Sequence, residues 1–136
     1  MRVSELKNRT KAFAIAIIKL AEKLPNAHIG RTISEQIIRA SKSVASNYRA
    51  TCSAKSDKDF NFKMGIVLEE ADETQFWPEM IDEHHLIIED FEVKKLIQEA
   101  NELVAIFVSS SKTVKKRLKK LVFKAITTNQ QSQIIN

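Results

Sequence analysis

Apolar residues recur at alternating intervals of three and four positions along four long stretches of this chain, and no other feature of the sequence constrains the fold as much. The first stretch carries Phe13, Ile17, Leu20 and Leu24. This spacing lines apolar side chains along one narrow side of an α-helix, as in helices that pack into bundles. The 136 residues include only two glycines and two prolines, so there is little material for turns. We therefore predict an all-α protein.

Breaks in the spacing indicate where the helices end. The first helix begins near Val3 and ends at Pro25, because proline cannot continue the hydrogen-bond ladder. Thr32 or Ser34 then offers an N-cap for the second helix. Ser56 is of a residue type that caps helices, which predicts that the third helix starts there.

The third and fourth helices carry two further signals. Ser56 and Asp59 resemble a capping box in which aspartate replaces the usual Glu or Gln. Pro78 falls inside the third helix, so we expect a kink or local break between residues 74 and 78. The fourth helix is expected to begin near Asp90, and its apolar spacing lapses at about Phe123.

Short connections between successive long helices favour antiparallel neighbours. The predicted fold is an antiparallel up-down-up-down four-helix bundle over residues 1–126. Residues 127–136 are polar and aperiodic, which predicts a flexible polar C-terminal tail.

Charge is segregated along the chain. Residues 1–63 hold thirteen Lys or Arg against five Asp or Glu, and residues 64–92 hold ten acidic side chains and no Lys or Arg. Residues 112–124 hold seven basic side chains and no acidic one, whereas the whole chain has a net charge of +5. This basic block is expected to bind an acidic partner.

Clustered Lys and Arg on one side of a helix are typical of proteins that bind nucleic-acid phosphates. Two alternatives remain open: solvated helix faces, or pairing of the basic surfaces with the acidic third helix of another subunit. No sequence motif for reading bases is present. The candidate nucleic-acid-binding residues are Arg39, Lys42, Arg49, Lys112, Lys115, Lys116, Arg117, Lys119 and Lys120.

Four other residues are candidates for structural or interface roles. Asn47 falls on the apolar seam of the second helix, where a buried amide needs a partner such as a third-helix carboxylate or a backbone carbonyl. Trp77 adjoins Phe76, so one of the two rings must face away from the core; an outward Trp77 would indicate a subunit interface, and core packing is the alternative. Glu69 and Glu73 lie one turn apart and are expected to form an exposed or interface stripe.

Nothing in the sequence predicts an enzyme, a cofactor or a metal site. A di-iron bundle needs Glu-x-x-His on two helices, and the nearest match is a single Asp82-x-x-His85. Cys52 is the only cysteine. The charged N-terminus and the lack of a long apolar run favour a cytoplasmic protein with no membrane partner.

Several segments together resemble a known family. They are residues 39–50 (RASKSVASNYRA), 55–60 (KSDKDF), 63–74 (KMGIVLEEADET) with the pair 76–77, and 99–107 (EANELVAIF). The chain is similar in these segments to the four-helix-bundle proteins known from intervening sequences of 23S rRNA genes.

The resemblance implies an antiparallel four-helix bundle that assembles as a homopentamer. It also implies kinship to the accessory variability protein of diversity-generating retroelements, a basic pentamer that binds nucleic acid and a reverse transcriptase. On this basis we expect a non-enzymatic oligomer that binds RNA or DNA through its basic surfaces. The alternative is a structural or protein-interaction module, for example a reverse-transcriptase accessory subunit, with no nucleic-acid binding of its own.

Overall fold

The chain folds into four α-helices that pack as an antiparallel bundle, as the sequence predicts. The computed structural model describes residues 1–88 and 91–135, with side chains described through residue 130. Each helix packs against the next one along the chain, and α1 also packs against α4. No β-strand occurs in the described ranges. The helices are α1 (Val3–Ala21), α2 (His28–Cys52), α3 (Asp57–Glu83) and α4 (Phe91–Ile135).

One apolar side of each helix forms the core. Ile17, Ile37, Val67 and Phe107 have no exposed surface at all, and each comes from a different helix. Ile17 lies on the predicted seam of the first helix, and each of the other three lies three or four positions from further buried residues of its own helix. This confirms the alternating spacing as the signal of the bundle.

On α2 the buried seam differs from the predicted one at a single position near the helix end. Tyr48 is buried there instead of Asn47, and its ring lies 5.6 Å from that of Phe107. Asn47 is half-buried, and its amide Nδ2 donates a hydrogen bond of 2.9 Å to the carbonyl oxygen of Ser43. The backbone carbonyl, one of the two expected kinds of partner, is therefore the one that satisfies Asn47. The large ring of Tyr48 fills the core position because it buries more apolar surface than an amide can.

Helix α2 also begins earlier than predicted. It starts at His28 after the N-cap residue Ala27, so neither Thr32 nor Ser34 is its N-cap. Gly30 lies in the first turn and is buried. A Cβ atom at this position would lie 1.8 Å from the carbonyl oxygen of Pro25. The absence of a side chain at Gly30 thus lets α2 begin directly over the Pro25 turn.

The predicted cap of α3 is present. Ser56 Oγ accepts a hydrogen bond of 3.0 Å from the backbone N–H of Asp59. The Asp59 carboxylate in turn accepts one of 3.1 Å from the backbone N–H of Lys55. The N–H of Lys55 is the first cause that holds the pKa of Asp59 below its ordinary value. Aspartate therefore completes the box one residue further back than the usual glutamate does.

Pro78 does not interrupt α3, which is helical from Asp57 to Glu83. The predicted local break is therefore wrong, and the alternative of a kink stays a prediction. Pro78 and Ile81 are both buried on the core side of the helix. Packing of this side against the neighbouring helices compensates for the backbone hydrogen bond that proline cannot make.

His85 closes α3 in a conformation that ordinarily favours glycine. Its φ of 52° lies in the left-handed region. The N–H of Leu86 donates to the carbonyl oxygen of Ile81 over 3.1 Å, and the N–H of His85 donates to that of Asp82 over 3.2 Å. This pair of bonds is typical of a Schellman motif with its left-handed residue just past the helix end.

We expect His85→Gly to stabilise the protein by about 1 kcal/mol, because glycine adopts positive φ without a Cβ penalty. Urea unfolding followed by circular dichroism measures the change. His84→Gly is the control, since the φ of His84 is −95°, and it should destabilise or leave stability unchanged. An equal gain at both positions would show that the left-handed backbone of His85 carries no cost.

Helix α4 is far longer than the other three. Its 45 residues span about 68 Å at 1.5 Å per residue. The predicted start near Asp90 lies outside the described residues, and the helix begins at Phe91 within them. The backbone stays helical over residues 127–135, where the sequence predicts an irregular tail. The flexibility of this segment and a domain boundary at residue 126 stay predictions.

Candidate nucleic-acid interface

Helix α4 leaves the bundle at Arg117. Val114 is its last buried residue among the described side chains. One turn further on, the guanidinium of Arg117 donates two hydrogen bonds, of 3.0 and 3.1 Å, to the carboxylate of Asp57 at the start of α3. Because α3 begins there, none of its turns lies beside the rest of α4. We call residues 115–130 the distal helix; with the last residues of α4 it extends about 27 Å beyond Arg117.

Four lysines line one side of α4 where it leaves the bundle. We call Lys112, Lys116, Lys120 and Lys124 the lysine row. They are all exposed and follow one another at i, i+4 spacing, which places them on one side of the helix. None of the four makes an ion pair within the described part of the chain. Like charges at this spacing destabilise a helix, so an anion along the row would stabilise it.

The remaining basic residues of the segment have other surroundings. Lys115 and Lys119 are exposed nearer the apolar side, and Lys119 borders a shallow depression with Leu118, Val122 and Ile126. The hydrogen bond to Asp57 raises the pKa of Arg117 and compensates its charge. In the sequence these cations form one block. In the structure the lysine row, the pair Lys115 and Lys119, and the ion-paired Arg117 have different surroundings.

The basic residues of α2 do not form one open surface. Arg39 donates a hydrogen bond of 2.9 Å to Glu70 and another to Glu73, both on α3. The bond to Glu73 is the first cause that raises the pKa of Arg39, and it also lowers the pKa of Glu73. The sequence analysis places Arg39 among the phosphate-binding residues and Glu73 among the structural or interface residues. In the structure the two form an ion pair that links α2 to α3. Lys42 and Arg49 are exposed and stay predicted phosphate contacts.

The outward side of α3 is acidic and carries exposed aromatic rings. We define the acidic face as Phe62, Glu69, Asp72, Phe76, Glu79 and Glu83, all of which are exposed. Its four carboxylates make no ion pair within the described ranges. Glu69 is therefore part of an exposed stripe, as expected, while Glu73 is not.

Phe76, and not Trp77, is the outward ring of the aromatic pair. Phe76 is 48% exposed, whereas Trp77 is half-buried and packs against the core. Their ring centres are 4.9 Å apart in an edge-to-face arrangement. The indole Nε1 of Trp77 is buried and has no hydrogen-bond partner in the described part of the molecule. Of the two alternatives for Trp77, core packing is therefore the one that the structure shows.

Sequence reasoning missed a contact between the first and last helices. Arg9 on α1 donates hydrogen bonds to Glu99 and Glu102 on α4. The bond to Glu99 is the first cause that raises the pKa of Arg9. Between this ion pair and Phe91 lies an open groove of about 790 Å³ with Ala12 and Ala16 on its α1 side. Ala12 and Ala16, two small residues four positions apart on α1, are the sequence signal that could have indicated this groove.

The described residues offer neither a metal site nor a membrane span. No group of three or more His, Cys, Asp or Glu side chains is placed to hold a metal ion among them. None of the described helices combines the length and the apolarity that crossing a bilayer requires.

Comparison with known proteins places the bundle in a family. The family model described as 23S rRNA-intervening sequence protein matches residues 3–109, which include nearly all of the four-helix bundle. This chain belongs to the 23S rRNA-intervening sequence protein family. No curated protein matches it.

A solved structure supports this assignment. It is that of a protein of unknown function from the S23 ribosomal protein family of Bacteroides thetaiotaomicron, with 29% sequence identity and a TM-score of 0.71. The alignment covers 79% of this chain and 98% of that one. The distal helix begins after residue 109, so it lies beyond the segment that matches the 23S rRNA-intervening sequence family model.

Proposed function

We propose that this protein is a non-enzymatic subunit of a cytoplasmic homo-oligomer that binds RNA or DNA through the phosphates. The observation that carries the proposal is the lysine row, four exposed lysines without an ion-pair partner in the described chain, on a helix that extends beyond the bundle. The family resemblance supports a pentamer as the assembly.

The geometry favours binding to phosphates over reading of bases. Lysine is a point charge that tolerates many phosphate positions, and successive members of the row are about 6 Å apart along the helix. Binding of several lysines to phosphates releases counterions, so affinity falls steeply with salt and depends little on sequence. Several copies in one oligomer would bind a long strand more tightly than a single copy does.

Changing all four residues of the lysine row to glutamine is expected to weaken RNA binding about 100-fold or more near 100 mM salt. For a single strand, four lost phosphate contacts also reduce the slope of log affinity against log salt by about 3. Fluorescence anisotropy of a labelled 30-nucleotide RNA, titrated at three KCl concentrations, measures both quantities. Urea unfolding checks that the variant is folded.

A matched control separates the lysine row from net charge. Changing Lys11, Lys19, Arg31 and Lys58 to glutamine, all exposed on other parts of the bundle, lowers the net charge from +5 by the same four units. It is expected to change affinity less than about threefold. Equal losses in both variants, or no RNA binding by the unchanged protein, would contradict the proposal.

The second candidate function is a protein-interaction module without nucleic-acid binding, for example an accessory subunit of a reverse transcriptase. The acidic face favours it, because exposed phenylalanine rings are typical of a surface that contacts a protein, and the carboxylates beside them would favour a basic partner. This candidate gains support if the unchanged protein binds no RNA at low salt yet assembles with itself or with a reverse transcriptase.

A further inference from the structure

The apolar seam of α4 continues past the end of the bundle. Phe107, Ser111 and Val114 are buried on this seam, and Leu118 and Leu121 follow at the same intervals of four and three. Leu121 is 58% exposed and the neighbouring Val122 is 59% exposed. We call the half-buried Leu118 and the exposed Leu121, Val122 and Ile126 the distal stripe.

The distal stripe and the lysine row lie on opposite sides of the helix. Helical periodicity places Lys116 and Lys120 about half a turn away from Leu118 and Val122. Lys115 and Lys119 lie beside the stripe instead, and Lys119 borders the depression that Leu118, Val122 and Ile126 form. A partner that covers the stripe therefore meets Lys115 and Lys119 and leaves the lysine row accessible.

The acidic face of α3 complements this surface in charge and in apolar character. Phe62, Glu69, Phe76 and Glu83 follow one another at intervals of seven, so they form one stripe along a helix that supercoils slightly with its partner. In a contact between the two surfaces, exposed phenylalanine rings would face leucine and valine, and unpaired carboxylates would face unpaired lysines. Opposite charges beside an apolar contact fix its orientation and disfavour other partners.

A subunit cannot make this contact with its own distal helix. Arg117 is bonded to Asp57 at the very start of α3, and the distal helix runs from there away from the acidic face. Phe76 lies about 28 Å along α3 from Asp57 in the opposite direction. A distal helix that docks on the acidic face must therefore come from another copy.

We propose that the distal helix of one copy docks through Leu118, Leu121 and Val122 on the acidic face of a second copy. The proposal rests on the assembly of identical copies proposed above and adds one contact between the copies. The two surfaces differ, so the contact is head-to-tail. Each added copy leaves one distal helix and one acidic face free for further copies, and a ring results if the rotation between neighbours closes. The distal helix lies beyond the residues that match the family model, so the family resemblance does not imply this contact.

Charge reversal on each surface, followed by reversal on both, tests the contact. Light scattering over a range of protein concentrations measures assembly, and circular dichroism checks that each variant is folded. Lys115→Glu with Lys119→Glu should weaken assembly at least tenfold, and so should Glu69→Lys with Asp72→Lys. All four changes in one chain should restore assembly to within about threefold of the unchanged protein, because the opposite charges then face each other again.

Lys116→Glu with Lys120→Glu is the matched control on the other side of the same helix turns. It should leave assembly unchanged and weaken RNA binding, whereas the four-change chain regains assembly. The docking contact is overturned if the four changes together fail to restore assembly, or if the control weakens assembly as much as Lys115→Glu with Lys119→Glu. A protein that assembles by another surface and still binds RNA through the lysine row would overturn this contact alone, and an assembling protein without RNA binding would overturn the nucleic-acid proposal alone.

Discussion

Gly30→Ala is expected to destabilise the protein by about 3 kcal/mol, the upper end of the usual range for overpacking. The new Cβ would lie 1.8 Å from the carbonyl oxygen of Pro25 and 2.8 Å from its carbonyl carbon. Both atoms belong to the backbone, so the clash cannot be relieved by rotation of a side chain. The turn at Pro25 or the first turn of α2 must move, and Ile33 would then leave its buried place in the core.

Gly65→Ala provides the control for this prediction. Gly65 lies inside α3, and a Cβ there would have no atom of another element within 4 Å. Alanine should stabilise α3 by about 0.5–1 kcal/mol, because it restricts the unfolded chain and has the higher helix propensity. Urea unfolding at low protein concentration measures both variants. Equal effects of the two substitutions would show that Pro25 does not constrain Gly30.

Phe107→Ala should cost about 3–5 kcal/mol, which approaches the whole stability of many domains of this size. The side chain is completely buried and contacts the ring of Tyr48 at a centre distance of 5.6 Å. Removal of the ring leaves a cavity between α2 and α4, the helices that carry Tyr48 and Phe107. Thermal unfolding should show a much lower Tm or no cooperative transition at all.

Phe123→Ala is the matched control, with the same chemical change on the same helix. Phe123 is 70% exposed on the distal helix, so its truncation should change the free energy of unfolding by less than about 0.5 kcal/mol. A large loss at Phe123 would mean that the distal helix packs on the bundle after all. A small loss at Phe107 would contradict the core described above.

The proposed functions assign different work to the two sides of the distal helix. The lysine row is available to phosphates, and the distal stripe with Lys115 and Lys119 is available to a second copy. One helix could then link strand binding to assembly, because copies aligned head-to-tail would repeat the lysine row at regular intervals. The experiments above change the two sides separately, so either proposal can fail without the other.

The sequence predicted the four helices because their apolar spacing depends only on local periodicity. It also predicted the Ser56 cap, whose hydrogen bonds involve residues a few positions apart. It failed for Thr32 and Ser34 as caps of α2. A residue that can cap a helix is common, and only the packing of Gly30 over Pro25 selects His28 as the start.

The candidate site was predicted in composition but not in arrangement. The basic block of residues 112–124 is visible in the sequence, and helical periodicity alone gives the order of its lysines. That Arg39 and Arg117 are compensated by α3 carboxylates could not be read from the sequence, because their partners lie 31 to 60 positions away along the chain. The same holds for Phe76 and Trp77, since the orientation of the helix in the bundle decides which ring faces outward.

By itself the sequence determined the fold class, the helices and the segregation of charge, because each follows from residue type at short spacing. Only the tertiary structure decided where the bundle ends along α4, since this depends on where the neighbouring helices begin. The alternating spacing continues through Leu118 and Leu121, so nothing in the sequence marks the end of the bundle. Whether those side chains belong to the core is decided by the start of α3 at Asp57, which leaves Leu118 half-buried and Leu121 58% exposed.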